Sequence, residues 1–501
     1  MAEIPIVPVI IATDAAGHGH AQGLKRTLGL RDVALLYIAT TLSVRWVATA
    51  AAAGPSALVL WIFALVGFFV PLAASVMELS SRYPQEGGLY IWAREAFGDF
   101  AGFLSAWTYW MSNLPYFAAI LYFGAGAALF GAGERGHRLA ASPLYFMTFA
   151  VTWLAVITAV NVVGLNAGKW LNNIGSTGMW LSMVVLVALA AVAAQRFGVA
   201  TRFSWGAMTP HLTARNAAFW ATIFCAFSGC ETGSFMGEEI EEPRNTIPRA
   251  LLVSGVALAL AYVLGTAALL VTLPPGQISG VDGFMQGTAV LCGRLGLPWL
   301  AVIVAGLLVL GAIGGAAAYL SSTSRLPFVA GIDLYLPPVF ARVHPRFRTP
   351  WVAIVVYGLA GMLMAALGQA GTSVRGAYDV MVSMTIITTF MPFLALFAAM
   401  MWAQNQPAGP EVMRVPGKRP VAIAVAVVGF VTTAVAIVLS VFPAEEEPHK
   451  AMAVAKVLVL TAVLVGAGAM VFWMGQRKRG KLLEQRSAFG DPGSGKPARS
   501  L

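Results

Sequence analysis

The chain has 501 residues, of which 58% are hydrophobic and only 11% are charged. A soluble domain carries roughly 25% charged residues, so this composition excludes a soluble globular protein and predicts an integral membrane protein whose partner is the lipid bilayer. The formal net charge of +10 is concentrated in short loops between apolar runs. That placement indicates membrane topology and excludes a nucleic-acid-binding surface.

The first 24 residues predict a disordered cytoplasmic tail. No basic segment followed by an apolar core is present, so we expect no cleavable signal peptide. His18 and His20 have a spacing that suits a metal ion, but a disordered tail explains them more simply, and we predict no metal site. The three cysteines provide no disulfide framework.

Twelve apolar runs have the length of about 20 residues that crosses a bilayer. They lie at 30–51, 57–80, 100–130, 143–164, 171–195, 217–237, 249–273, 297–319, 350–368, 376–402, 420–442 and 452–475. An even number of spans places both termini on one side of the membrane. Because 22 of the 32 lysines and arginines lie on that side, the positive-inside rule predicts a multi-pass protein of the plasma (inner) membrane with both termini in the cytoplasm.

The first span carries an arginine at a depth where arginine is rare. Its centre contains Thr40, Thr41, Ser43 and Arg45. An arginine near the end of a span extends its charged group to the interface, but nearly ten residues separate Arg45 from Gly54-Pro55. We therefore expect Arg45 to face an aqueous pocket, a carboxylate such as Glu231, or an anionic group of a bound solute.

A dense aromatic and charged segment follows the second span. It reads Glu78-Leu-Ser-Ser-Arg-Tyr-Pro-Gln-Glu-Gly-Gly-Leu-Tyr90 and is followed by Phe97-Gly98. Its proline and paired glycines predict a turn, and its aromatic residues favour a re-entrant or interfacial cytoplasmic loop over a plain solvated turn. Within it, Tyr90 is a candidate gating residue.

The sixth span combines small, hydroxylated and acidic residues at its centre. Residues 224–234 read Phe-Cys-Ala-Phe-Ser-Gly-Cys-Glu-Thr-Gly-Ser. Gly229 and Gly233 are explained by close helix packing. That explanation does not cover Glu231, because a carboxylate at this depth costs roughly 2.5 kcal/mol or more. We predict that Glu231 is a proton-carrying or gating carboxylate, or that it pairs with a cation on a facing helix.

Three segments together resemble the amino acid–polyamine–organocation superfamily. They are the motif at 78–90 with Phe97-Gly98, the motif Phe227-Ser-Gly-Cys-Glu231, and the motif Pro243-Arg-Asn-Thr-Ile-Pro-Arg249. The resemblance covers nearly the whole chain. It implies the leucine-transporter fold, an all-α membrane protein of about 12 transmembrane helices. In this fold spans 1–5 and 6–10 form inverted repeats, spans 1 and 6 are broken at mid-membrane, and spans 11 and 12 are accessory.

The resemblance also implies a substrate site between the two breaks. Half-helix N-termini favour a carboxylate, and the freed carbonyl groups at helix C-termini favour an ammonium. The candidate substrate-binding residues lie in both broken spans and are Thr40, Thr41, Leu42, Ser43, Arg45, Ala226, Phe227, Ser228, Gly229 and Cys230. Glu231 matches the family's span-6 carboxylate, which acts in gating or coupling.

Two features depart from the pattern that the resemblance implies. Thr40-Thr41-Leu42 occupies the position of a Gly-Ser-Gly break in span 1, as in the glutamate/γ-aminobutyrate antiporter branch. Some members use a lysine deep in span 5 in place of sodium, but here Lys169 lies at the cytoplasmic edge. Hydroxyls at 321–323 in span 8 either form a sodium site or cap their helix. The coupling ion, H⁺ or Na⁺, stays open, and no other cofactor is expected.

The predicted chain organisation follows from these assignments. Residues 1–24 form the N-terminal tail, 25–200 the first inverted repeat and 201–405 the second. Residues 406–475 form the two accessory spans, and 476–501 form a disordered cytoplasmic tail. The tail assignment rests on its basic, glycine-, proline- and serine-rich composition.

The resemblance implies a secondary active transporter that moves amino acids by alternating access, either proton-coupled or by exchange. A polyamine or other organic-cation transporter is an alternative, although such a site needs carboxylates and not Arg45. A nutrient sensor on a transporter fold is another alternative. An enzyme is not expected, because the six histidines lie outside the predicted spans. A channel is not expected either, because it would show repeated filter segments or rings of like charge, and neither is visible in the sequence.

Overall fold

The computed structural model describes residues 12–13, 19–20, 24, 26–131, 133–140, 142–210, 217–278, 282–368, 374–441 and 450–488. In this part of the chain the secondary structure is helical except for one pair of two-residue strands, Ala12–Thr13 and Gly19–His20, and an isolated bridge between Leu28 and Ile240. The all-helical fold class is therefore confirmed. Most of the predicted N-terminal tail, including His18, lies outside the described residues.

The first half of the chain forms five helical passes, and the first of them is broken. Span 1 consists of Leu30–Thr41 and Val44–Ala52. Span 2 consists of Ser56–Ala64, the π-helical segment Leu65–Phe69, and Val70–Arg82. Spans 3, 4 and 5 are Asp99–Ala128, Pro143–Val163 and Leu165–Phe197.

The second half repeats the feature of a broken first pass and adds two further helices. Span 6 consists of the α-helix Ala217–Cys225 and the 3₁₀-helix Thr232–Glu239. Span 7 is Pro243–Thr272, and span 8 is Pro298–Thr323, which Arg325–Ile332 continues after Ser324. Spans 9 to 12 are Trp351–Gly368, Val374–Ala403, Lys418–Ser440 and Lys450–Ala488.

Shorter helices occupy the loops between the spans. The one that matters for the site is Leu89–Phe97, here named the inner-loop helix. The others are Leu129–Gly131, Gly133–Ala140, Trp205–Met208, Pro275–Gln277, Gly283–Arg294 and Pro338–Ala341.

Eight helices in the described residues are long and apolar enough to cross a membrane. They are Leu30–Ala52, Ser56–Arg82, Pro143–Val163, Asn166–Phe197, Pro243–Thr272, Pro298–Gly331, Thr385–Ala403 and Lys418–Ser440. The other predicted spans are also helical. Span 6 is divided by its break, and span 9 contains a shorter apolar helix, Trp351–Ala366. Spans 3 and 12 are long helices that carry more polar residues.

Three predicted boundaries need correction, the first being span 5, which begins at Leu165 and not at residue 171. Span 7 begins six residues earlier than the apolar pattern indicates, because Pro243 starts the helix and needs no hydrogen-bonded N–H there. Span 12 continues past Gln476 to Ala488, so the disordered tail predicted from residue 476 cannot begin there. Its basic residues extend a helix instead. The predicted repeat boundaries near residues 200 and 405 fall between helices, and the repeat relation itself stays a prediction.

Both ends of the described bundle lie at the same end of the molecule. The Leu28 amide donates to the Glu239 carbonyl at 3.1 Å, at the end of span 6. Arg479, near the end of span 12, pairs with Asp99 at the start of span 3 at 3.2 Å. We name this end the inner end and the opposite one the outer end.

Spans 1, 5 and 8 pack closely through small residues. A Cβ atom added to Gly314 in span 8 would lie 2.5 Å from the Gly175 Cα in span 5. One added to Gly315 would lie 3.2 Å from the Ala39 carbonyl oxygen in span 1. The Ser176 hydroxyl also donates to the Leu35 carbonyl at 2.7 Å. These contacts fix the inner half of span 1 against spans 5 and 8, as small residues do in membrane helix pairs.

We predict that Gly314→Val lowers the free energy of unfolding, because the added side chain overlaps the backbone of span 5. Overpacking of this kind costs about 1–3 kcal/mol. Gly306→Val in the same span is the matched control, since no atom lies within 4 Å of its added Cβ. Thermal unfolding of the purified proteins in detergent measures the difference. Equal midpoints for the two variants would contradict this packing.

Candidate functional site

Span 1 is broken at Leu42 and Ser43, and the break needs no glycine. Leu42 has φ −69° and ψ 115°, and Ser43 has φ −133° and ψ 120°. These are extended conformations that any L-residue adopts. The Leu42 amide still donates to the Ile38 carbonyl at 2.8 Å, and the helix resumes at Val44. The absence of the family's glycines at Thr40-Thr41-Leu42 therefore does not prevent the break.

Span 6 is broken between Cys225 and Thr232, and this break does need its glycine. Gly229 has φ +120°, a conformation that L-residues with side chains rarely adopt. A Cβ atom there would also lie 2.7 Å from the Thr40 carbonyl oxygen of span 1. Gly229 thus permits both the irregular backbone and its close approach to the other break.

The two breaks are joined by a threonine and a tyrosine. The Thr40 hydroxyl lies 3.0 Å from the Gly229 carbonyl oxygen and 3.2 Å from the Thr232 hydroxyl. From span 7, the Tyr262 hydroxyl lies 2.5 Å from the Thr41 carbonyl oxygen and 2.8 Å from that of Ala226. A phenol has one proton to donate, so it serves one of these two freed carbonyls at a time.

An aromatic cluster behind the breaks positions Tyr262. The ring of Trp61 stacks on the ring of Tyr262, with centroids 4.4 Å apart and an interplanar angle of 2°. The ring of Phe227 meets both edge-on. Trp61 is itself fixed by its indole N–H, which donates to the Thr266 hydroxyl at 2.9 Å. Offset and edge-on ring contacts of this kind favour one arrangement, so the Tyr262 hydroxyl is held between the breaks.

A small polar cavity lies beside the two breaks. Its volume is about 30 Å³, and its lining residues are uncharged: Thr40, Thr41, Ser43, Trp46, Tyr109, Asn113, Tyr116, Cys225, Ser228, Tyr319, Thr385 and Thr389. That volume holds one or two water molecules, whereas small-molecule sites have roughly 300–1,000 Å³. The cavity is therefore smaller than a site that holds a whole small-molecule solute.

Glu231 is buried beside the cavity without an ion-pair partner among the described residues. One carboxylate oxygen accepts a hydrogen bond from the Tyr109 hydroxyl of span 3. The two oxygens lie 3.1 and 3.0 Å from the Gly229 amide nitrogen, which donates to them. The facing helix thus contributes a tyrosine, and the predicted pairing with a cation such as Arg45 is not observed. Tyr109, which lines the cavity, lies between it and Glu231.

Arg45 is 1% exposed and does not reach the membrane surface. Its Nε atom donates to the Ser43 hydroxyl at 3.2 Å. The guanidinium carbon lies 5.0 Å from the Trp46 ring centroid and 5.7 Å from that of Tyr116. Because both rings line the cavity, Arg45 brings a positive charge close to it.

The remaining predicted residues divide into those that line the cavity and those that support it. Thr40, Thr41, Ser43 and Ser228 line it. Leu42, Phe227 and Cys230 are buried in the surrounding core, and the Ala226 carbonyl accepts from Tyr262. The lining residues of spans 3 and 10 were not predicted from the sequence, and neither were Trp46, Cys225 and Tyr319. The signal in spans 3 and 10 is polar spacing on one helix face, at Tyr109, Asn113 and Tyr116 and at Thr385 and Thr389.

Tyr90 lies at the inner end, away from the cavity. Its hydroxyl donates to Asp333 Oδ2 at 2.5 Å, and Arg94 pairs with the same carboxylate at 2.5 Å. These contacts join the inner-loop helix to the segment that follows span 8. Desolvation raises the pKa of Tyr90, and the Asp333 carboxylate raises it further, so the phenol stays a donor. Its gating role stays a prediction.

Lys169 lies at the inner end, as predicted for the cytoplasmic edge, and of the span-8 hydroxyls Ser322 bonds to its own helix, while the sodium site stays a prediction. Lys169 pairs with Asp32 at 3.1 Å and donates to the Thr27 carbonyl at 3.0 Å, both at the inner end. In span 8 the Ser322 hydroxyl donates to the Ala318 carbonyl of its own helix at 2.9 Å. Opposite Ala39 of span 1, span 8 presents Gly315, which has no side-chain oxygen. The described residues contain no metal-binding group of three or more His, Cys, Asp or Glu.

Two helices broken near their middles beside a small cavity form the arrangement in which many secondary transporters bind their substrates. The chain belongs to the amino acid permease family, whose sequence model matches residues 28–467. This membership confirms the resemblance and the secondary-transport function, and it supports a membrane transporter over an enzyme.

Three relatives illustrate the range of the family. The chain is 25% identical to an uncharacterized transporter of Legionella pneumophila over 92% of this chain and 98% of that protein. It is 26% identical to a serine/threonine exchanger of Bacillus subtilis over 76% of this chain and 84% of that protein. It is 23% identical to a probable agmatine/putrescine antiporter of Lactococcus lactis over 64% of this chain and 67% of that protein.

We predict that Tyr262→Phe lowers amino-acid uptake by about tenfold, because an unsatisfied buried carbonyl costs roughly 1–3 kcal/mol. Tyr357→Phe is the matched control, since that buried hydroxyl donates to the Trp110 carbonyl at 2.9 Å, away from the breaks. Uptake of a labelled amino-acid mixture into proteoliposomes measures the effect. Equal uptake by the two variants would show that Tyr262 has only a structural role.

Proposed function

We propose that this permease carries amino acids across the plasma membrane by alternating access. The observation that supports it best is the cavity beside both breaks, which has uncharged polar lining residues and Arg45 close by. Neither a fixed anion nor a fixed cation fills the cavity itself. Such a site suits a solute that brings one charge of each sign.

The helix ends at the breaks supply partners for both charges of an amino acid. The N-terminus of Val44–Ala52 starts at the cavity wall, and its free amide groups and dipole favour a carboxylate. The freed carbonyls of Thr41 and Ala226 share one tyrosine proton. The carbonyl without that proton is free to accept from an ammonium.

Binding a whole amino acid requires the cavity to expand. Its volume of about 30 Å³ is far below the roughly 300 Å³ of small ligand sites. The irregular residues 42–43 and 226–231 are the positions where a change of backbone dihedral angles breaks the fewest helical hydrogen bonds. We propose that the half-helices hinge there, so that the cavity opens to one side at a time.

The buried carboxylate favours proton coupling or exchange over sodium coupling. Glu231 is connected to the cavity through Tyr109, and a carboxylate in the membrane interior is a natural proton carrier. At the contact of spans 1 and 8, Gly315 faces the Ala39 carbonyl and supplies no side-chain oxygen. The hydroxyls at 321–323 stay a sodium candidate, so the preference for a proton rests on the position of Glu231.

An organic-cation substrate is the second candidate. It is favoured by the similarity to a probable agmatine/putrescine antiporter. It is disfavoured by the lining of the cavity, which contains no carboxylate, and by the nearby Arg45 guanidinium. A sensor would bind the same solutes without a steady flux across the membrane.

We predict that at least one amino acid raises the unfolding temperature of the purified protein. A ligand at 100 times its dissociation constant stabilises the folded state by about 2.7 kcal/mol. Each amino acid is screened beside the amine that lacks its carboxylate and the acid that lacks its ammonium. Stabilisation only by the complete amino acid is expected. Stabilisation only by the amines would overturn the amino-acid assignment in favour of an organic cation.

We also propose that the inner end faces the cytoplasm, on the strength of the loop charges. Gly206 lies in the loop between spans 5 and 6 and Gly409 in the loop between spans 10 and 11, and nothing lies within 4 Å of a Cβ added to either. The native cysteines are buried. In intact cells, an impermeant thiol reagent is expected to label Gly206→Cys and not Gly409→Cys. The reverse result would invert the topology.

A further inference from the structure

A buried cluster of charges lies at the inner end, apart from the cavity. Glu86 belongs to the loop between span 2 and the inner-loop helix, Glu239 ends span 6, and Arg325 follows span 8. Their side chains are 1–2% exposed. The cluster therefore joins three separate elements at the place where the inner end is closed.

The loop that carries Glu86 interlocks with the inner half of span 6. The Gly87 amide donates to the Phe235 carbonyl at 3.2 Å. Gly88 has φ +40°, and a Cβ added to it would overlap Ser234. A Cβ added to Gly237 would overlap the Pro84 carbonyl. The glycines on both sides thus permit backbone-to-backbone packing, and opening the inner end must separate or move this contact.

Arg325 forms its shortest ion pair with Glu239, and not with Glu86. Its Nε and Nη2 atoms each donate to one oxygen of the Glu239 carboxylate at 2.8 Å. Its Nη1 atom donates to the Ser321 carbonyl and, at 3.1 Å, to the Ser324 hydroxyl. Both oxygens of Glu239 thus accept from the guanidinium, in the bidentate geometry of a strong pair.

Glu86 is left with one oxygen that has no hydrogen-bond partner. Its Oε2 atom accepts from the Glu238 amide at 3.1 Å. Its Oε1 atom is buried, lies 3.8 Å from Arg325 Nε, and makes no hydrogen bond. A buried, ionised carboxylate oxygen without a hydrogen-bond donor is costly. A protonated carboxyl group is uncharged, so its burial costs less.

The net charge of the cluster also favours a protonated Glu86. Two buried carboxylates share one guanidinium, so the cluster has a net negative charge unless it binds a proton. Among the described residues, the charged groups that face Glu86 are Glu238 and Glu239 from span 6 and Arg325 from the segment after span 8. Burial raises the pKa of the Glu86 carboxyl well above its usual range, and Glu239 and Glu238 raise it further, whereas Arg325 lowers it.

We propose that Glu86 is a second proton-binding site, which holds a proton while the inner end is closed and releases it to water when the inner end opens. The proton resides on Oε1, and its release leaves a carboxylate that hydration or Arg325 stabilises. This site is separate from Glu231, and the coupling role rests on the alternating-access function proposed above.

The sign of the effect follows from which state holds the proton. Raising the pH at the inner face removes the proton, places a net negative charge in the closed cluster, and so favours opening. Lowering the pH favours closure. Because one proton is involved, the opening equilibrium changes by at most about tenfold per pH unit.

Infrared difference spectroscopy of the purified protein tests the proton directly. The Glu86→Gln variant is expected to lose a carboxylic-acid carbonyl band that the parent protein shows at neutral pH. Glu411→Gln is the matched control, because that inner-end carboxylate is 70% exposed and pairs with Arg244. If Glu86→Gln does not fold, Glu86→Asp is expected to shift the band. An unchanged band in the folded variant would overturn the proposal.

Transport in vesicles tests the consequence. With the inner-face pH varied at constant outer pH, the parent protein is expected to gain transport rate as that pH rises. The Glu86→Gln variant is expected to keep the low rate at every pH, and Glu411→Gln to follow the parent. A parent-like pH profile in Glu86→Gln would contradict the release step. The infrared experiment needs no substrate. A negative infrared result therefore counts against the proton site on Glu86 and not against the amino-acid assignment.

Discussion

The contact between the breaks of spans 1 and 6 is the interaction on which the rest of the site depends. Thr40 reaches Gly229, and Tyr262 reaches a carbonyl in each span. In hydrocarbon a free backbone carbonyl costs several kcal/mol, so neither break is stable alone. Each is stabilised by polar groups of the other and of span 7. The cavity lies beside this contact because unwound backbone persists only where protein or water satisfies it.

The same constraint explains where the charged residues lie. Glu231, Arg45 and the pair of Glu239 with Arg325 are buried, and each has polar or aromatic partners. Glu86 differs from these residues, because one of its oxygens has no hydrogen-bond partner among the described residues. If both proposals hold, one carboxylate lies beside the cavity and the other at the inner end. The proton on Glu231 would then be linked to solute binding, and the proton on Glu86 to opening of the inner end.

The sequence was sufficient for the fold and for part of the site. Hydropathy located the helices, and the cost of burying Glu231 singled out span 6. The apparent obstacle at Thr40-Thr41-Leu42 disappeared because an extended break needs no glycine, whereas Gly229 does need its positive φ. The role of Tyr262 was not predictable, because nothing in span 7 shows that its hydroxyl meets two distant carbonyls. Glu86 likewise gained meaning only from Arg325, more than two hundred residues away.

The central claim is that two broken spans enclose a solute site whose movement is coupled to Glu231. Solute flux in reconstituted vesicles, compared between the parent protein and Glu231→Gln, tests it most directly. The account predicts that the parent protein accumulates or exchanges an amino acid. It also predicts that Glu231→Gln still binds that amino acid in a thermal-shift assay but no longer couples its movement to a proton gradient, although the inner-face pH still changes the transport rate through Glu86. Movement of the amino acid driven by a proton gradient in Glu231→Gln, to the same extent as in the parent protein, would contradict the account.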